Sequence, residues 1–306
     1  MLTTCIQLLC LTALFVAVYF PARHARHYEY VAQENVLKEI VLNNHPHFSN
    51  KPNCTYEDIV SSSHVIQVSD ITKQQNYIAP LFGGEFIPKH CVPLIKTAIV
   101  VPYRNRTEQL NIFVNYMHKF LQQQQIHYKL IVVEQNDTLP FNRAKMINIG
   151  AQLAMDSNYT CLILHDVDLI PLTKGNLYGC SKRPRHMSSS LDTFRYNLPY
   201  LKLFGGAVAI LSDQYENVNG MSNSFYGWGG EDDDFYNRLE AKNILPYRFA
   251  PEISKYTMLM HKKQPKNDRR FENLKWSLEN IYNGLSKLSR KYSVRLENLY
   301  TKVIST

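Results

Sequence analysis

The pair of aspartates in His165-Asp166-Val167-Asp168 is the first feature of the sequence that could do chemistry. The two carboxylates stand two positions apart and directly follow the apolar run 161–164. At the end of a strand, carboxylates with this spacing can reach one hard cation, and oxygen ligands suit Mg²⁺ or Mn²⁺. A D-x-D pair alone equally fits a solvated turn in which Asp168 accepts backbone hydrogen bonds, so the metal site needs further support.

The stretch 225–239, "FYGWGGEDDDFYNRL", places aromatic residues and glycines ahead of four consecutive carboxylates. Glycines let a loop swing or approach a ligand closely, and aromatic faces can stack on sugar rings. Carboxylates in the first turn of a helix interact favourably with its dipole, which is sufficient to explain Asp234. Glu231 and Asp232 lie nearest the loop, and crowding by like charges raises the pKa of a carboxylate toward that of a useful general base.

The elements that must position these residues alternate between strands and helices. Apolar runs predict buried strands at 95–103 and 127–135, with a third strand within 159–171. Helical spacing of apolar residues predicts helices at 107–125 and 143–155. This order implies right-handed crossovers and a parallel sheet, whose ligands bind at the carboxyl ends of the strands. The residues at those ends are 102–106, 134–142 and 165–168.

Three arginines belong to the same predicted edge. Arg104 and Arg106 follow the first strand, and Arg143 begins the second helix. Cations beside a metal describe a diphosphate site, because both neutralise charge on the phosphate leaving group. Taken singly, each arginine fits an ordinary surface salt bridge equally well.

A possible further metal ligand lies in the stretch "YTMLMHKK", where Met258 precedes His261 by three positions. His261 could complete a metal shell. Met is a soft ligand that suits Mg²⁺ poorly, and a lone His is usually not a ligand. The residues alone therefore leave this part of the site open.

Composition narrows the class of partner. The 306-residue chain has a formal net charge of +8 and is 45% apolar, enough to bury a real core. A nucleic-acid partner is not favoured, because the Lys and Arg residues are dispersed rather than gathered on one element. The charge indicates instead a basic surface that handles anionic ligands or membranes.

The N-terminal segment predicts a membrane anchor. Residues 1–20 contain no charged side chain, and about twenty apolar residues can cross a bilayer core. A cleaved signal peptide is the alternative, but a basic n-region and a clear cleavage site are missing. Arg23 and Arg26 follow the run, and by the positive-inside rule they would hold that side in the cytoplasm. Residues 21–53 are polar and read as a stem.

The cysteines and glycosylation sequons point to an oxidising lumen. Four cysteines lie beyond the apolar segment, and an even set of this kind predicts two disulfides. Spacing alone leaves all three pairings open. The cysteines are Cys54, Cys91, Cys161 and Cys180, and the sequons begin at Asn53, Asn105, Asn136 and Asn158.

Several motifs together resemble those of the β-1,4-galactosyltransferases, which are type II Golgi membrane enzymes. The motifs are "VVPYRNRTEQL", "FNRAKMINIGAQLA", "LHDVDLIP", "LFGGAVAI", "NGMSNSFYGWGGEDDDFYNRL" and "MLMHKK", in the family's order from about Cys54 to the C-terminus. The resemblance implies a GT-A type fold: a single α/β catalytic domain with a Rossmann-like, nucleotide-sugar-binding mixed sheet and a D-x-D metal site. It also implies a single-pass anchor at 1–20, a stem at 21–53 and a lumenal catalytic domain at 54–306, despite the arginines after the anchor.

The resemblance assigns roles on the donor side of the site. It implies that Asp168, Met258 and His261 bind Mn²⁺ and that Asp166 contacts the donor nucleotide sugar. Trp228 is implied to be the tip of a mobile loop that closes over the donor. The implied diphosphate contacts are Arg104, Arg106 and Arg143.

On the acceptor side, the resemblance implies that Glu231 and Asp232 bind the acceptor sugar, with Asp232 as the catalytic base. The other implied acceptor contacts are Tyr226, Gly230, Asp233, Arg270 and Phe271. The family's two disulfides correspond to Cys54–Cys91 and Cys161–Cys180.

Leu203 is the departure that matters most for the donor. Family members that use UDP-galactose carry Tyr just before the "FGG" stretch, where this chain has Leu203. A smaller apolar residue there admits the bulkier 2-acetamido group of UDP-N-acetylgalactosamine, so both donors stay open. A second departure is Tyr226, where a Trp is usual.

The resemblance as a whole implies an inverting, Mn²⁺-dependent transferase. It would move galactose or N-acetylgalactosamine to the 4-hydroxyl of terminal N-acetylglucosamine in a β-1,4 linkage. The alternatives are a catalytically inactive sugar-binding relative and a galactosyltransferase that acts on xylose.

Overall fold

The computed structural model describes residues 2–26, 28–43, 50–262, 265–277 and 281–305. Residue 1 of the predicted anchor and residues 27 and 44–49 of the predicted stem lie outside these ranges. The helices are α1 (Leu2–Arg26), α2 (Val36–Glu39), α3 (Glu57–Val60), α4 (Thr107–Gln122), α5 (Arg143–Asp156), α6 (Ser212–Asn217), α7 (Glu231–Ala241) and α8 (Arg270–Ser277). In the described part of the chain, no helix combines the length and apolar character needed to cross a membrane.

Short and long strands form three sheets in the described residues. The strands are β1 (Tyr30–Val31), β2 (Glu85–Phe86), β3 (Lys96–Tyr103), β4 (His127–Gln135), β5 (Cys161–His165), β6 (Leu169–Pro171), β7 (Arg185–His186), β8 (Ser190–Leu191), β9 (Ala207–Leu211), β10 (Arg248–Phe249), β11 (Lys255–Met258), β12 (Tyr292–Leu296) and β13 (Thr301–Ser305). The central sheet has eight strands in the order β12-β13-β4-β3-β5-β9-β7, with β2 also paired to β4.

The central sheet is parallel in its middle and antiparallel toward its edges. β13, β4, β3 and β5 run parallel to one another. β12, β9, β7 and β2 are each antiparallel to the strands they pair with. The sheet is therefore mixed, with the predicted strand–helix–strand units at its centre.

Alternation along β3 explains why the molecule has a core on each face of the sheet. Ile99 and Val101 pack in one hydrophobic cluster together with Phe113 of α4. Val100 packs in a second cluster together with Met146 of α5. Because successive side chains of a strand point to opposite faces, α4 and α5 must lie on opposite sides of the sheet.

The chain reverses direction across the sheet next to β3. β4 follows β3 through α4 and pairs beside it, whereas β5 follows β4 through α5 and pairs on the other side of β3. The carboxyl ends of β3 and β5 thus mark a topological switch point, where ligands of α/β sheets bind.

The segment 159–171, predicted to hold the third strand, contains two strands in the structure. β5 ends at His165, and a turn in which Leu169 N–H donates to the Asp166 carbonyl (3.3 Å) precedes β6. β6 then leaves the central sheet and pairs with β11 in a three-stranded sheet of order β6-β11-β8. The predicted strand is present as β5, and the D-x-D residues after it form the turn between two sheets.

Part of the segment predicted as a stem packs into the body of the molecule. β1 pairs in parallel with β10, and Val36 and Ile40 are buried in the same core as α4. The disulfides are Cys54–Cys91 and Cys161–Cys180, with Cα–Cα distances of 5.0 and 5.4 Å. Of the three pairings that spacing leaves open, the structure contains the one implied by the family resemblance.

Candidate active site

Arg143 and Asp166 meet at the switch point. Arg143 Nε lies 2.6 Å from Asp166 Oδ1, and the Arg143 side chain is only 15% exposed. Asn142 places Arg143 by capping α5, since its side-chain oxygen accepts from the Lys145 N–H at 2.9 Å. The ends of β4 and β5 thereby bring together a cation and a carboxylate that are separate in the sequence, as the strand-end rule predicts.

Asp168 and His261 form a second close pair beside the first. His261 Nδ1 lies 3.0 Å from Asp168 Oδ2, and both side chains are mostly buried. The pairing of β11 with β6 produces this contact, because Met258 stands opposite Leu169 and the Leu259 N–H donates to the Asp168 carbonyl at 2.7 Å. The predicted ligands Asp168, Met258 and His261 are therefore brought to one place by a strand pair.

The charge balance at Asp168 fits a bound cation. Burial and the neighbouring Asp166 carboxylate raise the pKa of Asp168 to about 6, although His261 and Arg106 partly oppose this rise. A divalent ion would relieve the excess negative charge, and carboxylate oxygens suit Mn²⁺. In the described residues, no group of three His, Cys, Asp or Glu side chains is arranged to hold a metal. The predicted set has only two such side chains, since its third member is Met258.

Arg106 has a nitrogen available for an anion. One guanidinium nitrogen donates to the Lys262 carbonyl at 3.0 Å, while Nη1 is buried without a hydrogen-bond partner. An unpaired buried donor is costly, and Arg106 precedes the N-terminus of α4, where anions are favoured. Arg104 contacts the segment that follows β4, with Nη1 2.6 Å from the Leu139 carbonyl and its guanidinium over the ring of Phe141.

Glu231 and Asp232 begin α7 in the same crevice. Arg143 Nη1 lies 3.9 Å from Glu231 Oε1, and the other oxygen of Glu231 is buried without a partner. Burial raises the pKa of Glu231. Burial, followed by repulsion from Glu231 and Asp233, raises the pKa of Asp232 to about 7. An aspartate with this pKa can both accept and release a proton near neutral pH.

The remaining two carboxylates of the run have different surroundings. Asp234 is fully buried and forms an ion pair with Arg238, with 2.9 Å between Oδ2 and Nε. Asp233 is half-buried and is hydrogen-bonded to Tyr200. Asp234 therefore forms a buried ion pair within α7, because Arg238 lies one turn further along the same helix, whereas Asp233 contacts Tyr200.

The glycine-rich loop is tied to the segment before α8. The Trp228 carbonyl accepts from the Asn267 N–H at 3.1 Å, and Asn267 Nδ2 donates to the Tyr226 carbonyl at 2.6 Å. The Trp228 side chain is 54% exposed. Gly229 and Gly230 have φ of 107° and 94°, so these positions require glycine for backbone conformation as well as for any loop motion.

Arg270 and Phe271 open α8 beside this loop. The Arg270 guanidinium lies 4.4 Å from the centre of the Phe271 ring, and Phe271 is 68% exposed. A Cβ atom added at Gly229 would lie 3.0 Å from Arg270 Cδ. The structure thus brings Gly230, Arg270 and Phe271 to the same side of the crevice as Tyr226.

Leu203 lies in the segment that faces Asp232. A Cβ added two residues later, at Gly205, would lie 2.9 Å from Asp232 Oδ2, so only a glycine lets this segment approach the carboxylate. Sequence reasoning missed Tyr200, Asn267 and Arg248, which hold this crevice together. Nothing in their local patterns marks them, because each acts through a contact with a residue far away in the chain.

Two family models match the chain in succession. The model described as the N-terminal region of glycosyl transferase group 7 matches residues 49–181. The model described as the N-terminal domain of galactosyltransferase matches residues 185–262. Together they cover both halves of the crevice, from the D-x-D turn to His261.

Curated relatives agree with these models. β-1,4-Galactosyltransferase 1 of Mus musculus is 40% identical over 227 residues, which are 72% of this chain and 57% of the relative. The chain thus spans little more than half of that relative's length. β-1,4-Galactosyltransferase 4 of Cricetulus griseus is 33% identical over 306 residues, which are 97% of this chain and 87% of the relative.

Solved structures give the same result for the fold. The catalytic domain of Drosophila β-1,4-galactosyltransferase 7, complexed with xylobiose, has a TM-score of 0.58 at 30% identity and covers 69% of this chain and 92% of its own. A mutant of that enzyme, complexed with manganese, UDP-Gal and xylobiose, has a TM-score of 0.57 at 28% identity, with the same coverage. The predicted GT-A type fold is confirmed, and the chain belongs to the β-1,4-galactosyltransferase family.

Proposed function

We propose that the chain is an inverting, Mn²⁺-dependent transferase that moves galactose or N-acetylgalactosamine from its UDP-sugar to the 4-hydroxyl of terminal N-acetylglucosamine. The observation that carries the proposal is the line of contacts from Asp166 through Arg143 to Glu231. This line joins the metal-side carboxylates to the start of α7, where Asp232 has a pKa near 7. A donor site and a general base thus share one crevice.

On the donor side, the chain offers cations for the diphosphate. The unpaired nitrogen of Arg106 and the N-terminus of α4 suit phosphate oxygens. Asp168, Met258 and His261 are the residues that would hold the metal, whose bound form supplies Lewis-acid stabilisation of the departing diphosphate. Arg143 holds Asp166 in place for the donor sugar.

On the acceptor side, Asp232 accepts the proton of the acceptor 4-hydroxyl. The hydroxyl oxygen then forms its bond to the anomeric carbon while the bond from that carbon to UDP breaks, and UDP departs with the electron pair. One displacement converts an α-linked donor into a β-linked product. The loop around Trp228 and the start of α8 exclude water from the reacting atoms, which protects the donor from hydrolysis.

The choice of donor depends on Leu203. A tyrosine at this position would fill space with its ring and offer a hydroxyl to the sugar. Leucine leaves room for a 2-acetamido group and removes the polar contact. We therefore propose UDP-N-acetylgalactosamine as the preferred donor. Xylose is the alternative acceptor, because a structural relative of the chain was solved in complex with UDP-Gal and xylobiose.

The proposed location is a Golgi membrane, with a single-pass type II anchor and a lumenal catalytic domain. Two disulfides in the folded body support an oxidising compartment. The apolar composition of residues 1–20 is the basis for the anchor.

The test is a donor and acceptor comparison with residues 24–306 made in a disulfide-permissive host. Mn²⁺ and either UDP-galactose or UDP-N-acetylgalactosamine are supplied with an N-acetylglucosaminide or a xyloside. A preference for UDP-N-acetylgalactosamine should be reversed by Leu203→Tyr but not by the control Leu201→Tyr in the same segment. Transfer to the xyloside alone would replace the proposed acceptor. Acceptor binding without turnover would identify an inactive sugar-binding relative.

A further inference from the structure

Two buried side chains hold three alternate carbonyls of the segment that contains Leu203. One terminal nitrogen of Arg248 donates to the Leu201 carbonyl at 2.7 Å and to the Leu203 carbonyl at 3.1 Å. His186 Nε2 lies 3.0 Å from the Gly205 carbonyl, and because a carbonyl can only accept, this nitrogen carries the proton. The other ring nitrogen of His186 then accepts from Arg248 Nε at 3.4 Å.

Segment 201–205 lines both the proposed donor pocket and the space beside Asp232. Leu203 is the proposed contact to the donor sugar, and Gly205 lies against the Asp232 carboxylate. A shift of the segment would change the space for the 2-substituent of the donor and the gap beside the proposed base together. Neither Arg248 nor His186 needs to touch a substrate to have this effect.

Arg248 is buried among tyrosine side chains, and its guanidinium donates hydrogen bonds to these carbonyls. The side chain is 3% exposed, and the groups that act on its charge are the phenols of Tyr236, Tyr30 and Tyr28. A buried guanidinium is stable only when its donors are used, and carbonyl oxygens are the acceptors supplied here. Burial and the adjacent Arg248 hold the pKa of His186 well below its usual range, so the ring is neutral with one donor and one acceptor.

Residues 28–31, in the segment predicted as a stem, pack beside Arg248. Tyr30 of β1 stands opposite Arg248 in the β1–β10 pair, and the Ala250 N–H donates to the Val31 carbonyl at 3.0 Å. The ring of Tyr28 lies 5.9 Å from the Arg248 guanidinium. Part of the segment predicted as a stem therefore packs beside Arg248.

We propose that Arg248, acting with His186, is a positioning residue that fixes segment 201–205 and thereby sets donor affinity and donor choice. The inference rests on the proposed function, because it assigns a second determinant of specificity to the same donor pocket. The identity of residue 203 is then not sufficient to set donor choice. The backbone of the segment must also be held in place by its hydrogen bonds to Arg248 and His186.

The test compares Arg248→Lys with Arg185→Lys in the full chain. Lysine keeps the charge at position 248, but its single nitrogen cannot donate to the two carbonyls and to His186 at once, as Nη2 and Nε of the arginine do. Arg185 is the matched control, since it is also fully buried and donates to backbone carbonyls, those of Leu177 and Gly179. For each variant we would measure the melting temperature, kcat and KM with both UDP-sugars, and donor affinity by calorimetry.

The expected result is a rise in donor KM and donor Kd of about tenfold for Arg248→Lys, the effect of one lost charged hydrogen bond. The ratio of kcat/KM for the two donors should also change. Arg185→Lys should lower the melting temperature while leaving donor Kd and the donor ratio at wild-type values. Wild-type Kd and donor ratio in a folded Arg248→Lys would overturn the inference, as would equal changes in both variants.

A second variant decides the matter if Arg248→Lys does not fold. His186→Gln can keep an N–H donor near the Gly205 carbonyl, but its amide oxygen does not take the place of Nδ1 opposite Arg248 Nε, so it should shift the donor ratio in the same direction. An unchanged ratio in a folded His186→Gln would overturn the inference. Absence of transfer by the wild type would count against the proposed function instead, and the calorimetric donor Kd would still test the positioning role.

Discussion

At the scale of single residues, neighbouring carboxylates of one sequence run have different surroundings and therefore different roles. Asp232 and Asp234 are two positions apart in the first turn of α7. Asp232 lies among other carboxylates, which together with burial raise its pKa to about 7. Asp234 turns inward to the guanidinium of Arg238 at 2.9 Å. One is thus equipped to move a proton, while the other holds a helix.

The raised pKa of Asp232 predicts the pH dependence of transfer. A general base must be deprotonated, so kcat/KM should be constant above pH 7 and fall about tenfold for each unit below it. Asp232→Asn should reduce kcat by at least about 10², with UDP binding unchanged, whereas Asp58→Asn on the surface should match the wild type. The measurement is a pH profile under saturating Mn²⁺. A profile that stays flat down to pH 5 would remove Asp232 as the base.

At the scale of elements, strand and helix ends bring the site residues together. The D-x-D turn follows the end of β5, and Asp232 lies in the first turn of α7. The pairing of β6 with β11 places His261 beside Asp168. Among these, α7 contains a buried ion pair between Asp234 and Arg238. Arg238 also donates to the Asn283 carbonyl at 2.8 Å, which links the helix to a distant part of the chain. Loss of that pair should affect the whole helix rather than one side chain.

Asp234→Asn should therefore destabilise the fold. Removing one partner leaves the buried Arg238 charge uncompensated, which costs about 3–5 kcal/mol. The exposed Asp213 on α6 provides a control, since Asp213→Asn should change the free energy of unfolding by less than about 0.5 kcal/mol. Denaturant unfolding monitored by circular dichroism measures both. Equal stability of the two variants would show that the buried ion pair does not stabilise α7.

At the scale of the whole molecule, distant segments of the chain stabilise one body. The N-terminal strand β1 pairs with β10, and the C-terminal strand β13 pairs with β4. Cys54–Cys91 joins the start of the predicted catalytic domain to the strand region across 37 residues of sequence. Such long-range links restrict the unfolded chain more than the folded one.

Removal of this disulfide should lower the stability of the molecule. The double variant Cys54→Ser with Cys91→Ser releases a loop whose closure is worth about 4 kcal/mol. The midpoint of denaturant unfolding should decrease relative to the wild type under oxidising conditions. With reductant present, the difference between the two proteins should disappear. A difference that persists in reductant would assign the loss to the serines and not to the bond.

The sequence by itself determined the central units of the fold and most of the candidate site. Local periodicity is sufficient to predict β3, α4, β4 and α5, and motif order is sufficient to predict the family and the pairing of the cysteines. Only the tertiary structure decided that β6 pairs with β11 outside the central sheet, that residues near Tyr30 pack beside Arg248, and that Arg248 holds the carbonyl of Leu203. The reason is physical: periodicity reports which face of an element is buried, whereas a contact between residues some 45 positions apart depends on how the elements pack.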